Sequence, residues 1–396
     1  MSNFDLKKIQ AIIKDMRLDG WLFFDFRGSN DLALNILKLP KETHLTRRFF
    51  YFIPKEGDPK KIVNSIEAGF LDHLPGDKLK YANHSSLYNH LKNTLAGVKT
   101  IAMEYSPMNA IPYVAKVDAG TIELIKSFGV DIKSSADLIS MFGAVWTDEQ
   151  FKDNKPVAQE ITKIVRDAFG FIKTKLSAGA HVTEYDVQQY IMNEFDKRNY
   201  YTDSPPIVGV NENSGNPHYA PTPEIFKPIN KNDFVLIDLW AKTKNPDSVW
   251  ADITWVGFAG DSVPEKYVKI FNIVAKARDE AFNFVAARFN NNKEVRGFEV
   301  DDVARKVITD AGYGEYFFHR TGHSITVDLH GSGAHMDDYE TKDERLLLPS
   351  TSFSIEPGIY LPEFGVRSEI DVFISPDKKV IPTGNDVQKE IIAIMK

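Results

Sequence analysis

Four acidic residues stand where acids are out of place. Asp238 lies in the run Phe234-Val-Leu-Ile-Asp-Leu-Trp and Asp252 in Trp250-Ala-Asp-Ile-Thr-Trp. Glu356 lies in Phe353-Ser-Ile-Glu-Pro-Gly-Ile-Tyr and Glu369 in Val366-Arg-Ser-Glu-Ile-Asp-Val. Acids are depleted from strand interiors and from apolar surroundings, because a buried carboxylate is costly unless it is paired or holds a cation. The aspartates are 14 residues apart and the glutamates 13 apart, so two successive stretches each contribute two carboxylates from neighbouring strands. If those stretches face each other, four carboxylates converge. Their repulsion would push some pKa values upward, and two divalent cations would cancel it. Two cations held ~3.5–4 Å apart are a known catalytic arrangement.

The chain has no cysteine, so any metal must be held by His, Asp or Glu. The imidazole donor is expected from His319-Arg-Thr-Gly-His323-Ser-Ile-Thr-Val-Asp-Leu-His330-Gly, with His335 just beyond it. His218 stands apart in Asn216-Pro-His-Tyr-Ala-Pro. Five of the ten histidines thus fall in two short segments bearing glycine and proline. An oxygen-rich set with one imidazole suits manganese, cobalt, zinc or iron. His319 reads as a packing residue, and His335 with Asp337-Asp338 as a solvated loop. His44, Arg47 and Arg48 read as an exposed strand edge.

The elements that must position these residues follow from periodicity. At 396 residues the chain has room for two or three domains. Leu6, Ile9, Ile12, Ile13 and Met16 recur at helical spacing, and Gly20 stops that helix. Residues 21–26, 48–53, 61–64, 100–103 and 129–132 read as strands, with helical segments such as 115–128 between them. This pattern predicts a smaller mixed α/β domain over residues 1–145. The polar stretch 145–156 reads as a linker and the start of a long helix whose apolar face is Ile161, Ile164, Val165, Phe169 and Ile172. A second helix is expected over 183–198, then paired strands over 234–258 around the turn Asn245-Pro246-Asp247. Helices over 265–289 and 300–311 and strands over 353–360 and 367–374 partly repeat that order. Residues 156–396 therefore read as one domain with a weak internal duplication.

Composition narrows the function. Hydrophobic residues make up 43% and charged residues 26%, ordinary for a globular chain. A formal net charge of -7 argues against nucleic acid as a partner. The N-terminal residues do not read as a secretory signal, and nowhere is there an uncharged apolar stretch of the ~20 residues a membrane span needs. A cytoplasmic location is expected, with no membrane partner.

The acidic pairs and the histidine segments together resemble the pita-bread metallopeptidase family, in its prolidase, aminopeptidase P and creatinase branch. The likeness runs from about Pro156 to the C-terminus, and the N-terminal region is similar to the smaller domain of that branch. The resemblance implies an α/β fold with a C-terminal pita-bread domain. It also implies a homodimer and a two-metal hydrolase, with manganese the expected metal. Residue by residue, Asp238, Asp252, His323, Glu356 and Glu369 fall on the family's five ligand positions. Asp238 would serve one metal, His323 and Glu356 the other, and Asp252 and Glu369 would bridge. His218 and His330 match two substrate-facing histidines, and Arg367 an arginine beside the last glutamate. Glu356 would be the general base. The substrate implied is a small peptide with proline at its second position, taken by an Xaa-Pro dipeptidase or an Xaa-Pro aminopeptidase.

Three departures stand out, the first being that the family's two aspartates are commonly closer together, so the turn around Asn245 to Ser248 is read as enlarged. The family's usual glutamate after the His330 position is Gly331, and a common glycine three residues after the His323 position is Thr326. Two other readings keep the fold and change the chemistry. One is a creatinase-like hydrolase or metal-dependent lyase, and the other is a catalytically silent binding protein.

Overall fold

The computed structural model describes residues 4–39, 44–384 and 386–396. One compact unit ends at Gly143 and a second begins at Ala144.

The first unit runs α1 (Leu6–Asp15), β1 (Gly20–Asp25), α2 (Asp31–Ile36), β2 (Phe49–Pro54), β3 (Lys60–Asn64), β4 (Asp77–Tyr81), α3 (His84–Thr94), β5 (Thr100–Met103), α4 (Ala119–Lys126), β6 (Asp131–Ser134) and α5 (Ala136–Gly143). Its six strands form one mixed sheet in the order β4-β3-β2-β1-β5-β6. Successive strand residues point to opposite faces, and here both faces are apolar. Trp21, Phe23, Tyr51 and Ile53 pack into one core with α1, α2 and α5. Leu22, Phe24, Phe50 and Phe52 pack into another with α3 and α4. A sheet covered on both faces needs such near-continuous apolar strands. β4 has no such run, being the edge strand Asp77-Lys-Leu-Lys-Tyr, and periodicity did not reveal it. His44, Arg47 and Arg48 lead into β2, an interior strand, so they form no strand edge.

Glu104 is fully buried in this unit, where it accepts hydrogen bonds from Trp21 Nε1 (2.8 Å), Asn30 Nδ2 (2.9 Å) and Ser135 Oγ (3.1 Å). Burial outweighs those donors and pushes its carboxyl up to about 7 from 4.5. The folded state therefore holds a proton that the unfolded state has released. Stability from this group is present below pH 4.5 and is lost as pH rises to about 7, a fall on the order of 3 kcal/mol. Urea unfolding at pH 5 and pH 7.5 should show the loss in the wild type and a much smaller one in Glu104→Gln. Equal pH dependence in the two proteins would remove Glu104 as its source.

The second unit opens with α6 (Asp148–Ser177) and α7 (Glu184–Lys197), then β7 (Tyr200–Tyr201), β8 (Ile207–Val210), β9 (Phe234–Thr243) and β10 (Ala251–Phe258). It continues with α8 (Glu265–Asn290), α9 (Gly297–Asp310), β11 (Ser324–Ile325), β12 (Ser352–Ile355), β13 (Gly358–Tyr360), β14 (Gly365–Arg367), β15 (Ile370–Ile374), β16 (Val380–Pro382) and β17 (Ile392–Ala393). The stretch 145–156 holds the expected start of the long helix, which begins at Asp148, so only its first residues connect. Thr147 and Gln150 cap α6 reciprocally, at 3.1 and 2.9 Å, and Pro156 lies inside that helix.

The strands form three sheets: β17-β10-β9-β7 with β8 also on β9, then β11-β12-β15-β16, then the hairpin β13-β14. The β9–β10 hairpin is the divider of the unit. Val235, Ile237, Leu239, Ala251, Ile253 and Trp255 face the core made with α6 and α7. The alternate residues Phe234, Leu236, Val256 and Phe258 face the core of α8 and α9, which also takes Phe353, Ile355, Val372 and Ile374. By the same alternation Asp238 and Asp252 turn toward β12–β15. The two helix-pair-and-strand layers thus place four carboxylates between them.

Candidate metal centre

The aspartates sit within strands, in register with Thr254 and Trp240 respectively. The glutamates do not. β12 stops at Ile355 and β13 starts at Gly358, because Pro357 cannot donate to a ladder. Opposite that break β14 stops at Arg367 and β15 starts at Ile370. Register pairs Ile355 with Ile370 and Gly358 with Arg367, so Glu356 and Glu369 stand across from each other in the gap where both strands change sheets.

Asp252 and Glu369 are buried, and with His323 each offers one ligand atom such that all three atoms lie within 4.8 Å of one another. His323 Nε2 is 3.8 Å from Asp252 Oδ2 and 3.4 Å from Glu356 Oε1. Its Nδ1 is 3.2 Å from the Ser324 carbonyl, which leaves Nε2 as the lone pair turned to the carboxylates once Nδ1 carries the proton. Burial holds this imidazole down to about 3, so it is neutral at physiological pH and available as a ligand. Gly322 precedes it because a Cβ there would stand 2.0 Å from the Ser354 carbonyl oxygen.

A hydrogen-bonded scaffold surrounds the acids. Asp371 Oδ2 accepts the Asp252 N–H at 2.7 Å, and Thr254 Oγ1 donates to Glu369 Oε2 at 2.7 Å. Arg367, buried, pairs with Asp238, donates from Nε to Thr254 Oγ1 at 2.9 Å and from Nη1 to the Tyr360 hydroxyl at 3.0 Å. Tyr360 meets His319 Nε2 at 2.7 Å, and His319 Nδ1 meets the Arg320 carbonyl at 2.6 Å. Burial raises the Asp238 carboxyl, against the pull of Arg367. Burial, then Glu369 and Asp238, hold Asp252 well above the usual carboxylate range, and burial, then Glu356 and Asp238, do the same to Glu369.

Among these buried groups Asp238 Oδ1, Asp252 Oδ1, Glu369 Oε1 and Asp371 Oδ1 have no hydrogen-bond partner. Buried acceptors without donors are rare, and those of Asp252 and Glu369, gathered with a neutral imidazole, fit a divalent cation. The donor set is hard oxygen plus one nitrogen, with no sulfur.

Residues 157–376 match metallopeptidase family M24. The chain belongs to that family. Similar proteins include an uncharacterized peptidase of Staphylococcus saprophyticus, 29% identical over 66% of this chain and 69% of its own. The Xaa-Pro dipeptidase of Lactobacillus helveticus is 30% identical over 68% and 67%. For the Xaa-Pro dipeptidase of Lactobacillus delbrueckii subsp. lactis, 29% identical, the match spans 59% of its length. Among solved structures, the prolidase from Thermococcus sibiricus is similar over 98% of both chains, with a TM-score of 0.61 and 26% identity. The dipeptidase PepE of Mycobacterium ulcerans has a TM-score of 0.70 at 20% identity and shares the fold. No helix among the described residues is long and apolar enough to cross a membrane.

Some expectations change. His335 and Asp337 are not a solvated loop. Both are buried: His335 Nδ1 accepts the Ser324 N–H at 3.1 Å, and Asp337 accepts the N–H groups of Tyr339, Glu340 and Thr341. Only Asp338 of the acidic pair is exposed. The loop buries polar groups because each finds a partner inside it. His330 lies at the rim, its ring edge-on to His323 at 4.4 Å between centroids, and His218 is exposed on the loop after β8. Thr254, Tyr360 and Asp371 were not anticipated. Asp371 was the most readable of the three, since it stands two residues after Glu369 and so shares its face.

Gly331 and Thr326 form one packing unit. A Cβ on Gly331 would stand 2.6 Å from Thr326 Cγ2, 2.9 Å from Thr326 Oγ1 and 3.0 Å from Ser324 Oγ.

Proposed function

We propose that this chain is a two-metal Xaa-Pro peptidase that splits dipeptides with proline in second place. The observation that carries the reading is the set of buried, unpartnered carboxylate oxygens of Asp238, Asp252 and Glu369 beside His323 and Glu356. The names of the lactobacillus relatives and of the prolidase structure support the substrate class. Catalysis would lie in the second unit, within residues 156–396, and residues 1–145 would be the accessory domain. Manganese is the metal proposed, on the hardness of the donor set. A homodimer working in the cytoplasm belongs to the same reading.

Asp238, Asp252, His323, Glu356 and Glu369 would hold the cations. When bound, two divalent cations supply a water acidified to near-neutral pKa and Lewis-acid polarisation of the scissile carbonyl. Glu356 takes the proton of the attacking water and returns it to the leaving nitrogen. Its Oε1 accepts from Ser354 Oγ at 3.0 Å, which fixes the carboxylate toward the site. Arg367, locked by Asp238, Thr254 and Tyr360, aims Asp238 and opposes the rise that burial imposes on its carboxyl. His330 and His218 contact the substrate, His330 at the carbonyl oxygen and His218 where charge develops. An imide nitrogen before proline has no N–H, so the site needs no acceptor for one.

Protein stripped by a chelator and reloaded with manganese should cleave an Xaa-Pro dipeptide, with both amino acids found by mass spectrometry. An Xaa-Pro-Xaa tripeptide, a Met-Ala-Ser peptide and creatine belong in the same mixture. Release of the first residue from the tripeptide with the dipeptide untouched would replace the dipeptidase assignment with an aminopeptidase, and turnover of creatine alone would end the peptidase reading.

A further inference from the structure

His218 is exposed on a loop without regular structure, yet that loop is tied to a single face of α7. Glu184, in the first turn of α7, is fully buried. Its Oε1 accepts the Val210 N–H and Asn213 Nδ2, both at 2.8 Å. Its Oε2 accepts the Lys227 N–H at 2.7 Å and the Tyr219 hydroxyl at 2.5 Å. Gln188, one turn along the same face, donates to the carbonyls of Pro206 and Pro221, both at 3.0 Å. The Glu184 N–H donates in turn to the Lys227 carbonyl at 3.0 Å, and the His218 N–H donates to Asn216 Oδ1 at 3.1 Å.

A buried carboxylate is tolerated when its lone pairs are filled by good donors. This one spends all four on the loop: one before it, one at its start, one at its far end and one on the residue beside His218. Burial, and then the bond to Glu184, hold the Tyr219 phenol above its ordinary pKa, so it stays a donor. Nothing else about an exposed segment requires a fully bonded internal acid. The aim of the residue at its tip does.

We propose that Glu184, acting through Tyr219, is the positioning residue that sets His218 against the substrate. This rests on the peptidase reading above. The imidazole is presented by a loop that is pre-ordered before substrate arrives, with Gln188 holding the side of the loop beyond Tyr219.

Tyr219→Phe tests this, since it removes one hydroxyl and leaves Glu184 three donors. Hydrogen exchange should rise across residues 216–222 while the exchange of α7, the melting temperature and the bound metal per chain stay at wild-type values. Turnover of the Xaa-Pro dipeptide should fall about tenfold in kcat with KM little changed, a small misplacement of a group that acts late. His218→Ala should cost more, about a hundredfold. The double variant should be no slower than His218→Ala alone, because Tyr219 acts only through His218. Unchanged exchange in Tyr219→Phe overturns the latch whatever the enzyme's substrate proves to be. Multiplying losses in the double variant, or full activity in His218→Ala, overturn the link from the latch to catalysis. Failure of the wild type to cleave any peptide would be seen separately, and the exchange result would still decide the latch.

Discussion

Glu356→Gln should bring peptide turnover down about a thousandfold while the protein folds as before. The amide matches the carboxylate in shape and can still accept from Ser354 Oγ, but it cannot take a proton from water at neutral pH. Glu356 is also the carboxylate nearest His323 Nε2, at 3.4 Å, so loss of metal could mimic loss of the base. Metal analysis of the same sample separates the two. Retained metal with lost turnover assigns the proton transfer to Glu356, whereas activity within a few-fold of wild type would remove Glu356 from that role.

The second large effect runs opposite to most mutations of buried residues. In protein stripped of metal, Glu369→Gln should unfold at higher temperature than the wild type. Glu369 is buried beside Asp252, Asp238 and Glu356, and among the described residues Arg367 is the guanidinium paired within that group. Replacing one member by a neutral isostere relieves repulsion and desolvation together, worth about 1–4 kcal/mol in the metal-free state. The Thr254 hydroxyl keeps an acceptor. The same variant should lose most of the stabilisation that manganese gives the wild type, because a ligand binding only the folded state stabilises it by mass action. Calorimetry with and without manganese reads both terms. A metal-free variant less stable than the metal-free wild type would mean that Glu369 serves the fold rather than a cation.

The candidate centre was legible because its residues break local rules. Acids in the apolar runs around Asp238 and Asp252 conflict with strand propensity and with burial, and such conflicts mark functional sites. The mixed sheet of the first unit was legible from the runs at Trp21 and Phe49, which are apolar on both faces. Other features were hidden for physical reasons. β4 at the sheet edge carries lysines and needs little apolar character. Within 145–156 the point where the connection ends and α6 begins was not legible, because polar residues and one proline look alike in a loop and in the exposed first turns of a long helix. The interruption of both glutamate strands depends on which partner each half-strand finds, which is tertiary information. His335 looked solvated because its company, Asp337 and Asp338, is acidic. The partners that permit its burial, such as the Ser324 N–H, are backbone groups that no side-chain pattern displays.

The contact between position 331 and Thr326 also makes the two positions interdependent in any redesign of this loop. With threonine at 326, a Cβ at 331 would stand 2.6 Å from Thr326 Cγ2, so a glutamate there requires that threonine to shift or be replaced. Thr326→Gly should therefore precede or accompany Gly331→Glu. The effects of the two substitutions are not additive, and a scan that changes position 331 alone would score as forbidden a glutamate that the paired change admits.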